Sequence, residues 1–319
     1  QQAQMAHEAS IEGFCYWHYW FSHDKKLLQR PFQEVLQSGK PDFPFCLGWA
    51  NHSWTNKHWE AGTRQQKEMT LMQMVYNEDE YRYHFYDVLP AFKDKRYITV
   101  DGKPLFLIWS PLDIPNTQQF INLWQSLAQE NGLAGIHFVG LQQNILSHKV
   151  TLKDVILKHI PNHTASCYAN ILNQGYSAIN SRGFHRADLY CRSLWDIIWR
   201  GICIRMFKYY PISKCDQRKI NKWLYTEEDK QENVYPTLMP NWDRTARSGK
   251  KARIYTNSTP EVFEEQIDQV LELVEKKTME HKIVFLMSWN EWAEGNYVEP
   301  DLKYGHSYLD ALQKKIIKQ

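Results

Sequence analysis

Three consecutive stretches decide the fold: the run Leu105-Phe106-Leu107-Ile108-Trp109, the segment Thr117–Gln129, and the run Ile136-His137-Phe138-Val139-Gly140-Leu141. Both runs are short and continuously apolar, the pattern of strands buried on two faces of a parallel sheet. The segment between them is amphipathic at helical spacing. Strand, helix and strand in succession make the repeating unit of an α/β protein.

The same rhythm extends in both directions. Further strands are predicted at Gly13–Trp17, Phe43–Trp49, Val155–Ile160, Val234–Met239 and Ile283–Trp289, and further helices at Leu27–Leu36, Glu78–Phe92 and Glu261–Glu280. The last helix has the clearest start, with Ser258 or Thr259 as cap, Pro260 in the first turn and Glu261 three residues after Ser258. Phe263, Ile267, Val270, Leu271 and Val274 then recur on one face. The fold class is therefore α/β, a (β/α)8 TIM-like barrel spanning 1–319 as one catalytic domain. Seven strands are predicted where a closed barrel needs eight. The chain opens on Gln1 rather than Met, so a first strand lost by truncation accounts for the count. Residues 175–235 interrupt the rhythm and read as a helical insertion before a late strand. Their run Leu194-Trp195-Asp196-Ile197-Ile198-Trp199-Arg200 packs on the barrel or, as an amphipathic surface helix, docks on a membrane or a lipid-linked substrate.

Composition narrows the function. The 38 basic and 36 acidic residues leave a formal charge of +2, with no basic footprint for nucleic acid. The longest clean apolar stretch, Ile283-Val284-Phe285-Leu286-Met287, falls far short of the ~20 residues of a transmembrane segment. Six scattered cysteines lack any C-x-x-C spacing; without a secretion signal they read as reduced thiols in a cytoplasmic protein, one that can still associate with a membrane surface. No metal or cofactor is expected. His159 and His163 have helical spacing, but Pro161 between them disfavours the helix that would align them. The 13 Trp, 18 Tyr and 14 Phe residues suit a core, and equally a site that stacks on the flat faces of sugar rings.

In a parallel barrel the active site lies at the C-terminal ends of the strands. Polar and aromatic residues gather there: His18, Tyr19 and Trp20 after the first predicted strand; Asn51, His52, Trp54, Trp59 and Glu60 after the second; then Trp109, and later Asp243 and Arg247. The strongest element follows the last strand, Trp289-Asn290-Glu291-Trp292-Ala293-Glu294-Gly295, with Tyr297 just beyond. Glu291 and Glu294 on one helical turn have Cβ atoms ~5–6 Å apart. That fits the ~5–5.5 Å separation of retaining glycoside chemistry better than the ~6.5–9.5 Å of inverting enzymes. Like charge and tryptophan walls raise one carboxyl's pKa, leaving one acid and one carboxylate. A solvated helix start also favours Glu; the flanking tryptophans, which such a turn does not need, favour the catalytic reading. Asp243 and Arg247 either pair with each other or hold substrate hydroxyls. No nucleophile elbow, phosphate loop, dinucleotide turn or Asp-x-Asp pair is present.

These blocks resemble a known family. Gly13–Phe21, Phe45–Asn51 with Trp54, Gly102–Phe106, Trp242–Arg247 and Trp289–Pro300 look like the WbsX proteins, which are similar to glycoside hydrolase family 99 and are commonly labelled glycosyltransferases. The resemblance implies a (β/α)8 barrel acting with retention on glycosidic bonds in bacterial surface-polysaccharide (O-antigen or exopolysaccharide) metabolism. Its partner would be an oligo- or polysaccharide, free or lipid-linked. By the same resemblance, the sugar's 2-hydroxyl serves as internal nucleophile, Glu291 as the base assisting it, and Glu294 as the acid protonating the leaving oxygen. Two departures stand out: the family's usual extra first strand with its Trp-rich loop is missing, and many members have Glu where this chain has His52. Hydrolase-like chemistry is what the residues support. A polysaccharide glycosyltransferase and a non-catalytic glycan-binding barrel are the alternatives, and a metal-dependent transferase, sensitive to chelator, is a third.

Overall fold

The computed structural model describes residues 1–56, 69–142, 163–209, 211–249 and 252–316. Among these residues seven parallel strands follow one another in chain order: β1 (Phe14–Ser22), β2 (Phe45–Trp49), β3 (Lys103–Ile108), β4 (His137–Leu141), β5 (Ala178–Asn180), β6 (Val234–Tyr235 and Thr237–Leu238) and β7 (Phe285–Leu286). Each pairs with its neighbour in sequence, as in a (β/α) barrel. Pro236 explains the two-part β6. It has no N–H to give, so the ladder breaks there, with Val234 and Tyr235 pairing to β5 and Thr237 and Leu238 to β7. The proline's carbonyl still accepts from Phe285 N–H at 2.9 Å.

β2, β4 and β5 are buried throughout, and β3 in all but its first residue, as their unbroken apolar sequences require. Trp124, Phe106, Phe120 and Phe138 fill the layer between sheet and helices, with the Trp124 ring 5.0 Å from Phe106. β1 and β7 differ. Residues 14–16 and 283–289 are only half-buried, and among the described residues no ladder joins the two strands, which meet through the rings of Phe14 and Trp289 at 5.3 Å.

Two sequence expectations need correction, in the 175–235 segment and at the helix ends. The strand predicted at Val155–Ile160 lies outside the described residues. The 175–235 segment does carry helices Phe184–Cys191, Leu194–Phe207 and Gln217–Leu224, yet it also contains β5 and the first half of β6. The insertion thus lies between two barrel strands, beside a small parallel pair formed by Ser213–Asp216 and Arg253–Thr256. Helices shift at their ends. Lys25–Leu27 folds back antiparallel on β1, and the helix starts at Arg30, where Pro31 sits in its first turn. The late helix runs Pro260–Val274, capped by Thr259 accepting from Val262 N–H, and stops short of Glu280. There the chain turns to bury Lys277, whose ammonium donates to the Val234 carbonyl.

Candidate active site

The chain leaving β7 forms a small hairpin. Asn290–Glu291 pairs antiparallel with Asn296–Tyr297, and a 3₁₀ turn, Trp292–Glu294, closes it. The two carboxylates are therefore not on one α-helical turn: Glu291 ends a strand and Glu294 ends the 3₁₀ turn. The hairpin is clamped to the loop after β6. Asn241 accepts from Tyr297 N–H at 3.0 Å and donates to its carbonyl at 3.1 Å, and Asn296 donates to the Asn241 carbonyl at 2.6 Å. Asp243 N–H donates to the Glu294 carbonyl at 3.0 Å. Gly295 is required at this contact. It sits at φ 54°, and a Cβ there would lie 2.6 Å from the Asp243 carbonyl oxygen.

Aromatic rings and one acid stiffen the outer side. Trp292 stacks on Tyr297 with centroids 3.7 Å apart. Glu299 accepts from the indole N–H of Trp289 at 3.0 Å and of Trp292 at 2.8 Å. Tyr297 donates to Asp301 at 3.0 Å, and burial, followed by that hydrogen bond, raises its pKa to about 12. Asn290 is exposed at the hairpin's start.

The two glutamates have opposed surroundings. Glu294 Oε1 is 3.0 Å from Arg244 and 3.2 Å from Arg247, an ion pair with two guanidiniums. Glu291 has no ion pair among the described residues; burial first and the charge of Glu294 second raise its pKa, against Arg247. The same field reaches Tyr19, whose hydroxyl is raised by burial and then by Glu291. Tyr19 packs edge-on to Trp54 at 5.4 Å, placing both near the pair. Arg247 thus pairs with Glu294 and not with Asp243, whose carboxylate instead accepts from Thr245 N–H at 2.9 Å.

Across the mouth lies Arg182, just beyond β5. Its guanidinium stacks on Trp109 at 4.7 Å and Phe184 at 4.8 Å and donates to the Met287 sulfur at 3.0 Å. Burial lowers its pKa to about 10, partly offset by Glu294. Trp109 also meets Trp17 at 5.1 Å and the His52 ring at 6.2 Å.

Three predicted site residues are not at the mouth. His18 is buried and stacks on His84 at 5.0 Å; Trp20, 2% exposed, stacks on the same His84 ring at 4.7 Å. Burial drives the His18 pKa down to about 4, so it is a neutral core ring rather than an acid–base group. Asn51 is fully buried. Its amide donates to the Ser110 carbonyl at 2.9 Å and accepts from Ser110 N–H at 2.8 Å, which ties β2 to the chain after β3. Alternation along β1 explains the split. Successive side chains point to opposite faces, so His18 and Trp20 face the Glu78–Phe92 helix while Trp17 and Tyr19 face the mouth. Trp59 and Glu60 lie outside the described residues. Sequence reasoning passed over Trp17, Arg182, Arg244 and Glu299. Trp17 was detectable as the last residue of the first predicted strand, whereas Arg182 follows β5, which the sequence does not show.

The protein-family model of glycosyltransferase WbsX matches residues 1–312. The chain belongs to the WbsX family. Its curated relatives include the uncharacterized protein WxcX of two strains of Xanthomonas campestris pv. campestris, each 24% identical over the whole of this chain. The match covers 41% of each relative, so the chain spans about two-fifths of their length. Among solved structures, a glycoside hydrolase-like protein superposes with a TM-score of 0.57 at 14% identity, over 98% of this chain and 83% of that one. This likeness concerns the fold, a TIM-type barrel. The family 99 endo-α-mannosidase from Bacteroides thetaiotaomicron, in complex with bis-tris-propane, aligns at 12% identity with a TM-score of 0.49, over 99% and 82% of the two chains.

Proposed function

We propose that this WbsX chain breaks or transfers a glycosidic bond with retention, using Glu291 and Glu294, in the metabolism of a bacterial surface polysaccharide. The observation that carries the reading is the asymmetry of the two carboxylates. Glu294 is held by two guanidiniums at 3.0 and 3.2 Å, whereas Glu291 has no ion pair among the described residues, and its pKa is raised by partial burial first and by the charge of Glu294 second. Glu291 is then the acid: its proton passes to the glycosidic oxygen as the bond to C1 breaks. Glu294 is the base: it takes the proton of the sugar's 2-hydroxyl as that oxygen closes on C1. Water, or a sugar hydroxyl in the transferase reading favoured by the family label, then attacks C1 from the face the leaving group left, passing its proton to Glu291 as the C1–O2 bond breaks and O2 takes its proton back from Glu294. These roles reverse the order the family resemblance implies. Trp17, Trp109, Trp292 and Tyr297 offer apolar faces to the sugar rings, with Tyr19, Trp54 and Arg182 beside them.

The stereochemistry of the first product tests the reading. A panel of bacterial surface polysaccharides is incubated with the chain, and the anomeric proton of the nascent reducing end, or of the new linkage, is read by NMR before mutarotation. Retained configuration is expected; an inverted product contradicts the proposal.

A further inference from the structure

The helix Leu194–Phe207 turns its apolar residues outward. Trp195, Ile198, Trp199, Ile202 and Met206 recur at i, i+3, i+4, i+7 and i+11, the spacing of a single helical face. All five are exposed, Trp195 at 79%, Trp199 at 58% and Met206 at 71%. Phe207 at the helix end, and Tyr209 and Ile212 beyond it, are exposed as well. Only Cys203 is deeply buried among the helix residues whose side chains are described. An apolar patch of this kind on a charged protein marks a contact site.

Its rim identifies the partner. Arg205 and Lys208 are exposed beside the stripe and Lys214 lies just beyond, while the helix holds one acid, Asp196, in its first turn. Tryptophans on an apolar face bordered by basic residues match the boundary between acyl chains and anionic headgroups. A second copy of the chain fits less well, because a symmetric pairing sets the two basic rims against each other. We propose that the Leu194–Phe207 helix docks the protein on an anionic lipid surface, with Trp195 and Trp199 inserted at the interface. The adjacent Phe184–Cys191 helix links this surface to the mouth, since Phe184 packs on Trp242 at 4.8 Å and carries the stacked Arg182. The inference rests on this surface alone, and its test does not depend on turnover.

Flotation on density gradients with phosphatidylglycerol–phosphatidylethanolamine vesicles, and with phosphatidylcholine vesicles, reads the binding. The unaltered chain should float with the anionic vesicles and much less with the neutral ones, and Trp emission should shift to the blue. Trp195→Ser with Trp199→Ser, and separately Arg205→Glu with Lys208→Glu, should each lower the floated fraction about tenfold, because each removes part of the apolar or charge attraction. Melting temperatures should stay unchanged, since these side chains are exposed. The proposal is overturned if the unaltered chain stays in the dense fractions with every vesicle, or if the Trp double variant floats as well as the parent. It also fails if the face instead holds two copies together, shown by a dimer in sedimentation velocity that the Trp variant dissolves while vesicles bind neither form.

Discussion

Two clusters of aromatic and polar side chains look alike in the sequence and do opposite jobs. One, His18, Trp20, Asn51 and His84, is sealed between β1, β2 and the Glu78–Phe92 helix. The other, Trp289, Glu291, Trp292 and Tyr297 with Arg244 and Arg247, stands open at the strand ends. In the sealed cluster burial strips charge from the histidines, and the polar atoms of Asn51 are spent on the backbone. In the open one the ion pairs are uneven, with two guanidiniums on Glu294 and none on Glu291 among the described residues. Tryptophan beside a titratable group therefore marks a site only where the strand's alternation turns both toward the mouth.

The largest effect should come from exchanging one tryptophan in each cluster. Trp20→Ala leaves a hole in a packed interior and should cost about 3–5 kcal/mol in urea unfolding. Trp292→Ala, at the exposed face, should cost under about 1 kcal/mol and instead raise KM. Equal losses of stability would erase the distinction.

Acid separates the clusters next. The folded pKa of His18 lies near 4 and below its unfolded value of about 6.5, and His84 is shifted the same way. Above pH 6.5 both states hold His18 neutral and stability does not depend on it. As pH falls, the unfolded chain takes up the proton first, so stability is lost progressively and the full loss, roughly 3 kcal/mol, is reached below pH 4. The drop in unfolding free energy between pH 7 and 5 should shrink in His18→Phe; an unchanged slope would mean that the ring is already hydrated.

Smaller still is the Asn51 effect. Asn51→Ala removes both side-chain hydrogen bonds to Ser110, leaving the Ser110 carbonyl only Asp113 N–H, and should cost about 1–3 kcal/mol, while folded variant protein keeps its affinity for glycan. A selective loss of affinity with normal stability would return Asn51 to the site.

The barrel was legible because β2, β3 and β4 are unbroken apolar runs whose burial leaves little choice of fold. β5 was not, since Ala178–Asn180 offers only three residues and no period to read. With it went Arg182, hidden in a stretch taken for an insertion. The mouth hairpin was legible through its tryptophans, but its form was not, because the clamp by Asn241 and Asp243 comes from a distant loop. His18, Tyr19 and Trp20 were all assigned to the site, although neighbours on a strand face opposite ways; β1 is aromatic on both faces, so hydropathy carries no alternation there.

The central claim is that Glu291 gives a proton to a glycan held in this mouth. Glycan affinity and turnover measured side by side on Glu291→Gln test it most directly, once a cleaved or extended polysaccharide is in hand. The account predicts affinity within about threefold of the parent and turnover lower by about 10²–10⁴, the usual worth of a positioned acid. Turnover that survives the substitution would contradict it.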